Sequence, residues 1–508
     1  MNFIDSLKRN TNYIETENNA ISHKTTLNAV YDLFAFGGAY RNRSDEDCIL
    51  LFKKAYEQDP VLALRCLFYI RDVRGGLGER RFFRVCYNWL AKNDKETAFR
   101  NLDLIPTYGR WDDLYCLFKT PIAADAYDFM HAQLNKDIVS LSENSKEGVS
   151  LLAKWLKSEN TSSIETRYLA SKTRKAFGLS RVKYRKILTQ LRNRINIVET
   201  LMSSNRWDEI NFAKIPSKAG LIYKNAFAHN DWTKERYAEF IENKDSKVHA
   251  ATLYPYEIVK QVTSNIKYQG WGLYDFDLKL DEVTRAAINK YWANQTDYLQ
   301  GKECKTICVV DTSSSMDASY NTKVKPIDVA ISLGMYCAER ISGEFKNYFI
   351  SFSSRPQLIE VEGVDFCDKV KRIYEQNLCE NTNLTAVFDM LMEMYITGQV
   401  EAAEMPDQLV VISDMEIDRG SSWRDEWRRR TEMETIRQQW ENAGLQMPRL
   451  VYWNVAARHN LILDDAQDDS VTFVSGCSPI IFQSVLEGKS GIEVMLSKLN
   501  SDRYKDIN

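Results

Sequence analysis

At 508 residues the chain exceeds what one core can organise, and about two to four domains are expected. Hydrophobic residues at 44%, charged residues at 27% and a net charge of −3 describe a water-soluble globular protein with no membrane partner; no apolar run approaches bilayer length, and the opening residues lack a signal-peptide core. Ten cysteines without a C-x-x-C pair, with Cys304 and Cys308 in or beside an apolar strand, read as reduced thiols of a cytoplasmic protein, and the scattered His23, His131, His229, His249 and His459 speak against a histidine-based metal or catalytic cluster.

In chain order, the first half reads as helices. Ser44 to Asp47 has the form of a capping box, and Asp59 followed by Pro60 caps and starts the next helix. Amphipathic segments follow at 61–72, 80–91, 95–104 and 112–118, joined by short turns that include Gly75, Gly76 and Gly78. Helical hairpins of about 40 residues stacked side by side, an α-solenoid, would give this texture. Between 255 and 300 the aromatics Tyr256, Tyr268, Trp271, Tyr274, Phe276, Tyr291 and Trp292, with Tyr254 just before them, are expected between the two halves, docking them as one body.

From residue 303 strands and helices alternate. Strands are expected at 305–310, 347–353, 408–412, 449–454 and 471–474, with an edge strand at 356–361. Helices are expected at 326–341, 384–395 and 432–443. This implies an α/β domain with a doubly wound, Rossmann-like, mostly parallel sheet, whose ligands bind beyond the carboxyl ends of the strands. The domains are placed at 1–290 and 303–508.

The first of those strands runs into a D-x-S-x-S loop, so Asp311, Ser313 and Ser315 converge at its carboxyl end. One carboxylate and two hydroxyls suit a hard divalent cation, Mg²⁺ or alternatively Mn²⁺ or Ca²⁺, that keeps a position open for an outside ligand. The arrangement resembles the metal-ion-dependent adhesion site of von Willebrand factor A (vWA) domains. That resemblance implies two further ligands, Thr382 in the loop before a helix and Asp414 at the end of a later apolar strand. Where the family often has glycine, Ser314 stands. No base is positioned beside Ser313 or Ser315, and Asp311 with Asp414 is too sparse a carboxylate set for two-metal phosphoryl chemistry, so a non-enzyme is expected. Glu416 and Asp418, close after Asp414, either supplement the site or are surface residues, the latter favoured.

Several motifs carry a wider resemblance: FYIRDVRGGLGERR from Phe68 to Arg81, IPTYGRWDDL from Ile105 to Leu114, YRKIL from Tyr184 to Leu188, and RWDEI from Arg206 to Ile210. With the D-x-S-x-S domain they make the chain similar to TROVE-module, or Ro-type, RNA-binding proteins, nearest to their plant, viral and phage relatives. The resemblance implies a ring of HEAT-like helical repeats closed by a vWA domain. It also implies a ribonucleoprotein role, binding small noncoding or misfolded RNA.

Read on its own chemistry, the stretch 161–224 holds 14 Lys/Arg against 4 Asp/Glu. Arg167, Lys172, Arg174, Lys175, Arg181, Lys183, Arg185 and Lys186, extended by Arg192 and Arg194, alternate with Tyr168, Phe177 and Tyr184. Such a stripe neutralises phosphates, and its aromatics can stack unpaired bases or belong to the core. A second cluster, Arg71, Arg74, Arg80, Arg81 and Arg84, flanks the glycine turn. It reads either as a phosphate nest or as a helix cap in which Arg80 and Arg84 pair with Asp72 or Asp112, the latter favoured. The RWD pairs at Arg110 and Arg206 read as caps and packing anchors. The leading function is a non-catalytic RNA-binding protein with a cation site for partner docking. The alternative is an adaptor whose cation binds an acidic residue of a protein partner, without RNA.

Overall fold

The structure, a computed structural model, describes residues 11–143, 148–268, 274–275, 278–317, 324–352, 355–376, 382–418 and 431–508. The expected interface aromatics Trp271 and Phe276, Ser353 at the end of a predicted strand, and residues 379–381 before Thr382 lie outside them.

Local chemistry starts the helical half as anticipated. A short hairpin, β1 (Tyr13–Glu15) with β2 (Ile21–His23), precedes α1 (Ala29–Phe36), which Asn28 caps through hydrogen bonds from Val30 and Tyr31. In α2 (Asp45–Gln58) Ser44 Oγ accepts from Asp47 N at 3.0 Å, and in α3 (Pro60–Arg71) Asp59 accepts from Leu62 N at 2.9 Å with Pro60 at the first position. Next come α4 (Arg80–Asn93), α5 (Ala123–Ser142), α6 (Ile164–Ala176), α7 (Arg181–Ile195), α8 (Ser217–His229), α9 (Lys234–Glu242), α10 (Pro255–Thr263) and α11 (Glu282–Ala293). The helices pack chiefly on near neighbours in sequence, α2 on α1 and α3, and α8 on α9 and α11. A two-residue ladder, β3 (Lys267–Tyr268) with β4 (Tyr274–Asp275), lies between α10 and α11.

Two expected helices differ in detail. The segment 95–104 breaks after Arg100, where the Asn101 side chain turns back to the Thr97 carbonyl at 2.9 Å, and a separate turn, Ile105–Tyr108, follows. The segment 112–118 is a 3₁₀ helix, Trp111–Leu117, closed by Asp113 accepting from Arg110 N at 2.9 Å.

The second half is a six-stranded mixed sheet: β5 (Thr306–Asp311), β6 (Tyr348–Phe352), β7 (Gln357–Glu360), β8 (Gln408–Ser413), β9 (Arg449–Asn454) and β10 (Val471–Ser475). Its order is β10-β9-β8-β5-β6-β7, with every pair parallel except the antiparallel edge pair of β6 and β7. Strands β5, β8 and β10 are buried along their whole length, which is why they read as continuous apolar runs. Helix α12 (Pro326–Arg340) lies close over β5; a Cβ on Gly334 would stand 2.6 Å from Val310 Cγ2. The longer helices that follow are α13 (Phe366–Glu375), α14 (Leu384–Ile396), α15 (Glu432–Asn442) and α16 (Gly491–Leu499), and short helical turns stand at Ser314–Asp317 and Phe482–Val485.

The halves meet through long-range contacts. Helix α10 packs on α12 and α13, Trp292 stacks on Phe366 with ring centres 4.2 Å apart, and Arg285 pairs with Asp365 at 2.7 Å. The chain ends also cross over. Helix α1 is buried against β10, where Tyr31 Oη accepts from Phe473 N at 2.8 Å. At the other end, Arg503 Nη2 donates to Asp72 Oδ1 at 2.8 Å and Tyr504 Oη to Asp72 Oδ2 at 3.0 Å. Among the described residues no helix is long and apolar enough to cross a membrane.

Candidate functional site

Strands β5 and β8 are parallel neighbours, so their carboxyl ends deliver Asp311 and Asp414 to one place. Asp311 is fully buried; its Oδ1 accepts from Ser313 N at 2.9 Å and its Oδ2 from Ser413 Oγ at 2.5 Å. Ser313 Oγ lies 2.9 Å from Ser315 Oγ, and Ser315 Oγ donates to Asp414 Oδ2 at 3.2 Å. Asp311, Ser313, Ser315 and Asp414 therefore form one connected set. Thr382 is buried beside the loop after β8, where its N–H donates to Asp418 Oδ2 at 2.9 Å and its carbonyl accepts from Asp418 N at 2.7 Å.

Burial and the neighbouring Asp414 carboxylate push Asp311 up to about 7, against the hydrogen bonds of Ser413 and Ser313. Asp414 is also raised, by burial, while Arg458 opposes the shift. Two buried carboxylates that disfavour each other's charge, joined by hydroxyl oxygens, are a donor set that a hard divalent cation fits. Thr312 Oγ1 is buried in the same loop with no hydrogen-bond partner among the described residues.

Three neighbours of this set were not anticipated. Ser413 holds Asp311, while Arg458 Nη2 donates to Asp414 Oδ2 at 2.9 Å and Arg458 Nη1 lies 2.8 Å from Glu17 Oε2. Arg458 follows the carboxyl end of β9, a placement that marks it for the ligand-binding edge of a parallel sheet. Glu17 had no such signal, because it sits 399 residues from the loop it touches.

The surface assignment of Glu416 is overturned, since Glu416 is 1% exposed. The turn between β1 and β2 covers it: Glu17 N donates to Glu416 Oε2, Asn18 Nδ2 donates to the Glu416 carbonyl, and Thr16 Oγ1 donates to the Ile417 carbonyl, each at 2.9 Å. His459 Nδ1 lies 2.7 Å from Glu416 Oε1. Asp418 is half-buried.

The basic stripe lies on α6 and α7. Arg167, Lys172, Lys175, Arg181, Lys183, Arg185, Lys186 and Arg194 are exposed. Arg174 instead pairs with Glu159 at 2.9 Å, and Arg192 donates to the Ala153 and Leu156 carbonyls and Ser158 Oγ, which ties α7 to the preceding segment. Of the interleaved aromatics, Tyr184 and Phe177 are buried, Tyr184 donating to the Lys157 carbonyl and Phe177 stacked on His131. Tyr168 is 51% exposed with Lys172 Nζ 5.6 Å from its ring centre. Between the helices opens a groove of about 870 Å³ lined by Arg167, Tyr168, Arg181, Arg185, Leu188 and Arg192, among others.

The glycine turn is not an open phosphate nest. The N–H groups of Leu77, Gly78 and Glu79 are spent on the Tyr69, Asp72 and Ile70 carbonyls, and Tyr254 Oη donates to the Leu77 carbonyl at 3.0 Å. A Cβ on Gly76 would stand 2.0 Å from the Tyr69 carbonyl oxygen, so only glycine fits. Buried Arg71 donates to Asp113 Oδ2 at 2.9 and 2.7 Å, and Arg84 bridges Asp112 at 2.9 Å and Asp113 at 2.7 Å. The cap reading thus fits Arg84, with Asp113 added as the central acceptor and Asp72 taken by Arg503 instead, whereas Arg80 is exposed and pairs with neither Asp72 nor Asp112 among the described residues. Arg206 likewise pairs with Glu209 across the second RWD turn.

Taken together, the fold is a helical half carrying a basic groove and a mixed-sheet half carrying a buried cluster of carboxylate and hydroxyl oxygens at its strand ends. Residues 16–126 and 126–303 match the family described as a domain of unknown function, DUF2828, and residues 305–506 match one described as a domain of unknown function, DUF7788. The chain belongs to the DUF2828 family. It is similar to uncharacterized protein L728 of Acanthamoeba polyphaga mimivirus, at 27% identity over 511 residues covering 93% of this chain and 84% of that one. Among solved structures, the RO (RSR) protein of Deinococcus radiodurans is 13% identical over 92% of each chain with a TM-score of 0.36, a likeness too weak to carry an argument.

Proposed function

We propose that this chain is a non-catalytic, cytoplasmic RNA-binding protein whose α6–α7 groove takes single-stranded segments of small noncoding or misfolded RNA. The observation that carries the reading is the groove itself. Exposed cations line both walls, and Tyr168 stands at its side as a platform for one unpaired base. The TROVE-type motif series supports it, and with it the assignment of residues 1–290 to a HEAT-like ring and 303–508 to a vWA domain. Groups held by internal hydrogen bonds, Arg174 and Arg192, position the groove walls, and the exposed Lys and Arg residues contact phosphate. Purification at low salt tests this directly: RNA should co-purify and be released as salt rises, and a preparation with the absorbance of clean protein would contradict it.

The oxygen site favours a second reading, in which Asp311, Ser313, Ser315, Thr382 and Asp414 hold Mg²⁺ and the ion binds an acidic residue of a protein partner. The bound ion would supply electrophilic attraction for a carboxylate; the chain's own residues orient it and keep one approach open. In this reading EDTA or Asp311→Ala abolishes partner capture, whereas RNA binding through the groove survives both.

A further inference from the structure

We propose that Glu17, Glu416 and His459 form a second cation site, distinct from the Asp311 set and selective for a borderline transition ion of the Zn²⁺ class. The three residues come from three separate segments: the turn between β1 and β2, the loop after β8 and the loop after β9. Their ligand atoms all lie within 4.8 Å of one another. His459 Nδ1 stands 2.7 Å from Glu416 Oε1 and 3.8 Å from Glu17 Oε1. Ligands on a tetrahedral zinc with bonds of about 2.0–2.1 Å sit about 3.3–3.4 Å from each other, a spacing that these two distances bracket.

Burial makes the site asymmetric in a useful way. Glu416 is held by its backbone and by Glu17 N, whereas Glu17 and His459 are exposed and can shift by about the half ångström or more that ligation requires. Glu17 Oε2 is occupied by Arg458, which leaves Oε1 for the ion. An imidazole nitrogen with two carboxylates selects Zn²⁺ over Mg²⁺ or Ca²⁺, which prefer oxygen alone. Three protein ligands on a half-exposed rim leave a fourth position for water or an outside anion. The two centres remain separate because the Arg458 guanidinium stands between them, one nitrogen on Glu17 and the other on Asp414.

This assignment is independent of the RNA reading, and it is tested on the full chain with Zn²⁺ by equilibrium dialysis and with Co²⁺ by its visible d–d absorption, in excess Mg²⁺. The wild type and Asp311→Ala should bind one ion with similar affinity, and His459→Ala and Glu17→Gln should each weaken binding about tenfold or more. His459 is exposed, so its variant keeps the fold, as its thermal unfolding midpoint will show. Unchanged Zn²⁺ affinity in His459→Ala, absence of binding in the wild type, or loss in Asp311→Ala alone would each overturn the assignment.

Discussion

Arg458 places its Nη2 2.9 Å from Asp414 Oδ2, so the carboxylate at the end of β8 already faces a cation supplied by the chain itself. A divalent ion bound at the Asp311 set would share Asp414 with that guanidinium and be repelled by it. Arg458→Gln should therefore tighten Mn²⁺ binding, read by electron paramagnetic resonance. A half-exposed pair of this kind weighs about 1 kcal/mol, or about fivefold in affinity. Weaker Mn²⁺ binding in the variant would show that Arg458 supports the site.

Asp113 is buried and accepts from Arg71, Arg84 and the Arg110 N–H. Replacing it with alanine strands the buried guanidinium of Arg71, and breaking such a pair costs about 3–5 kcal/mol. Urea unfolding followed by far-ultraviolet circular dichroism should show that loss, with Arg206→Ala, at an exposed pair, changing little by comparison.

Asp365 gives a pH test. Burial pushes its carboxyl up, but hydrogen bonds from Arg285, the Asp368 N–H and Asn289 outweigh this and hold it below the ordinary 3.8. A depressed folded pKa means that its stabilisation is complete above the unfolded value and fades as pH falls through 3.8 toward the folded value. The gap in thermal midpoint between wild type and Asp365→Asn should thus narrow between about pH 6 and pH 3. A gap that stays constant or widens would contradict the assignment.

Much of the fold was legible because it is written locally. Asp59 with Pro60 carries a cap and a first-turn proline in adjacent positions, and the apolar run of β5 followed by Asp311 marks a buried parallel strand with a carboxylate at its end. What escaped reading has no local period. Glu416 looks like a surface acid until Thr16, Glu17 and Asn18 close over it, and Asp72 looks like a partner for Arg80 or Arg84 until Arg503 arrives from the far end of the chain. The stripe of α6 and α7 shows the same limit, because its periodicity does not separate Tyr168, which is exposed, from Tyr184, which is core. Nor does it reveal that the fork of Arg192 is consumed by carbonyls.

The central claim is that the α6–α7 groove binds RNA. Its most direct test is fluorescence anisotropy of a short single-stranded RNA across a salt series, comparing wild type with Arg167→Glu/Arg181→Glu/Arg185→Glu, three cations that line the groove. All three side chains are exposed, so the fold is spared. Binding should weaken by at least about tenfold, and the log–log salt slope should flatten by about 0.7 for each phosphate that is no longer neutralised, or about 2 in all. Equal affinity and equal slope for the two proteins would contradict the account.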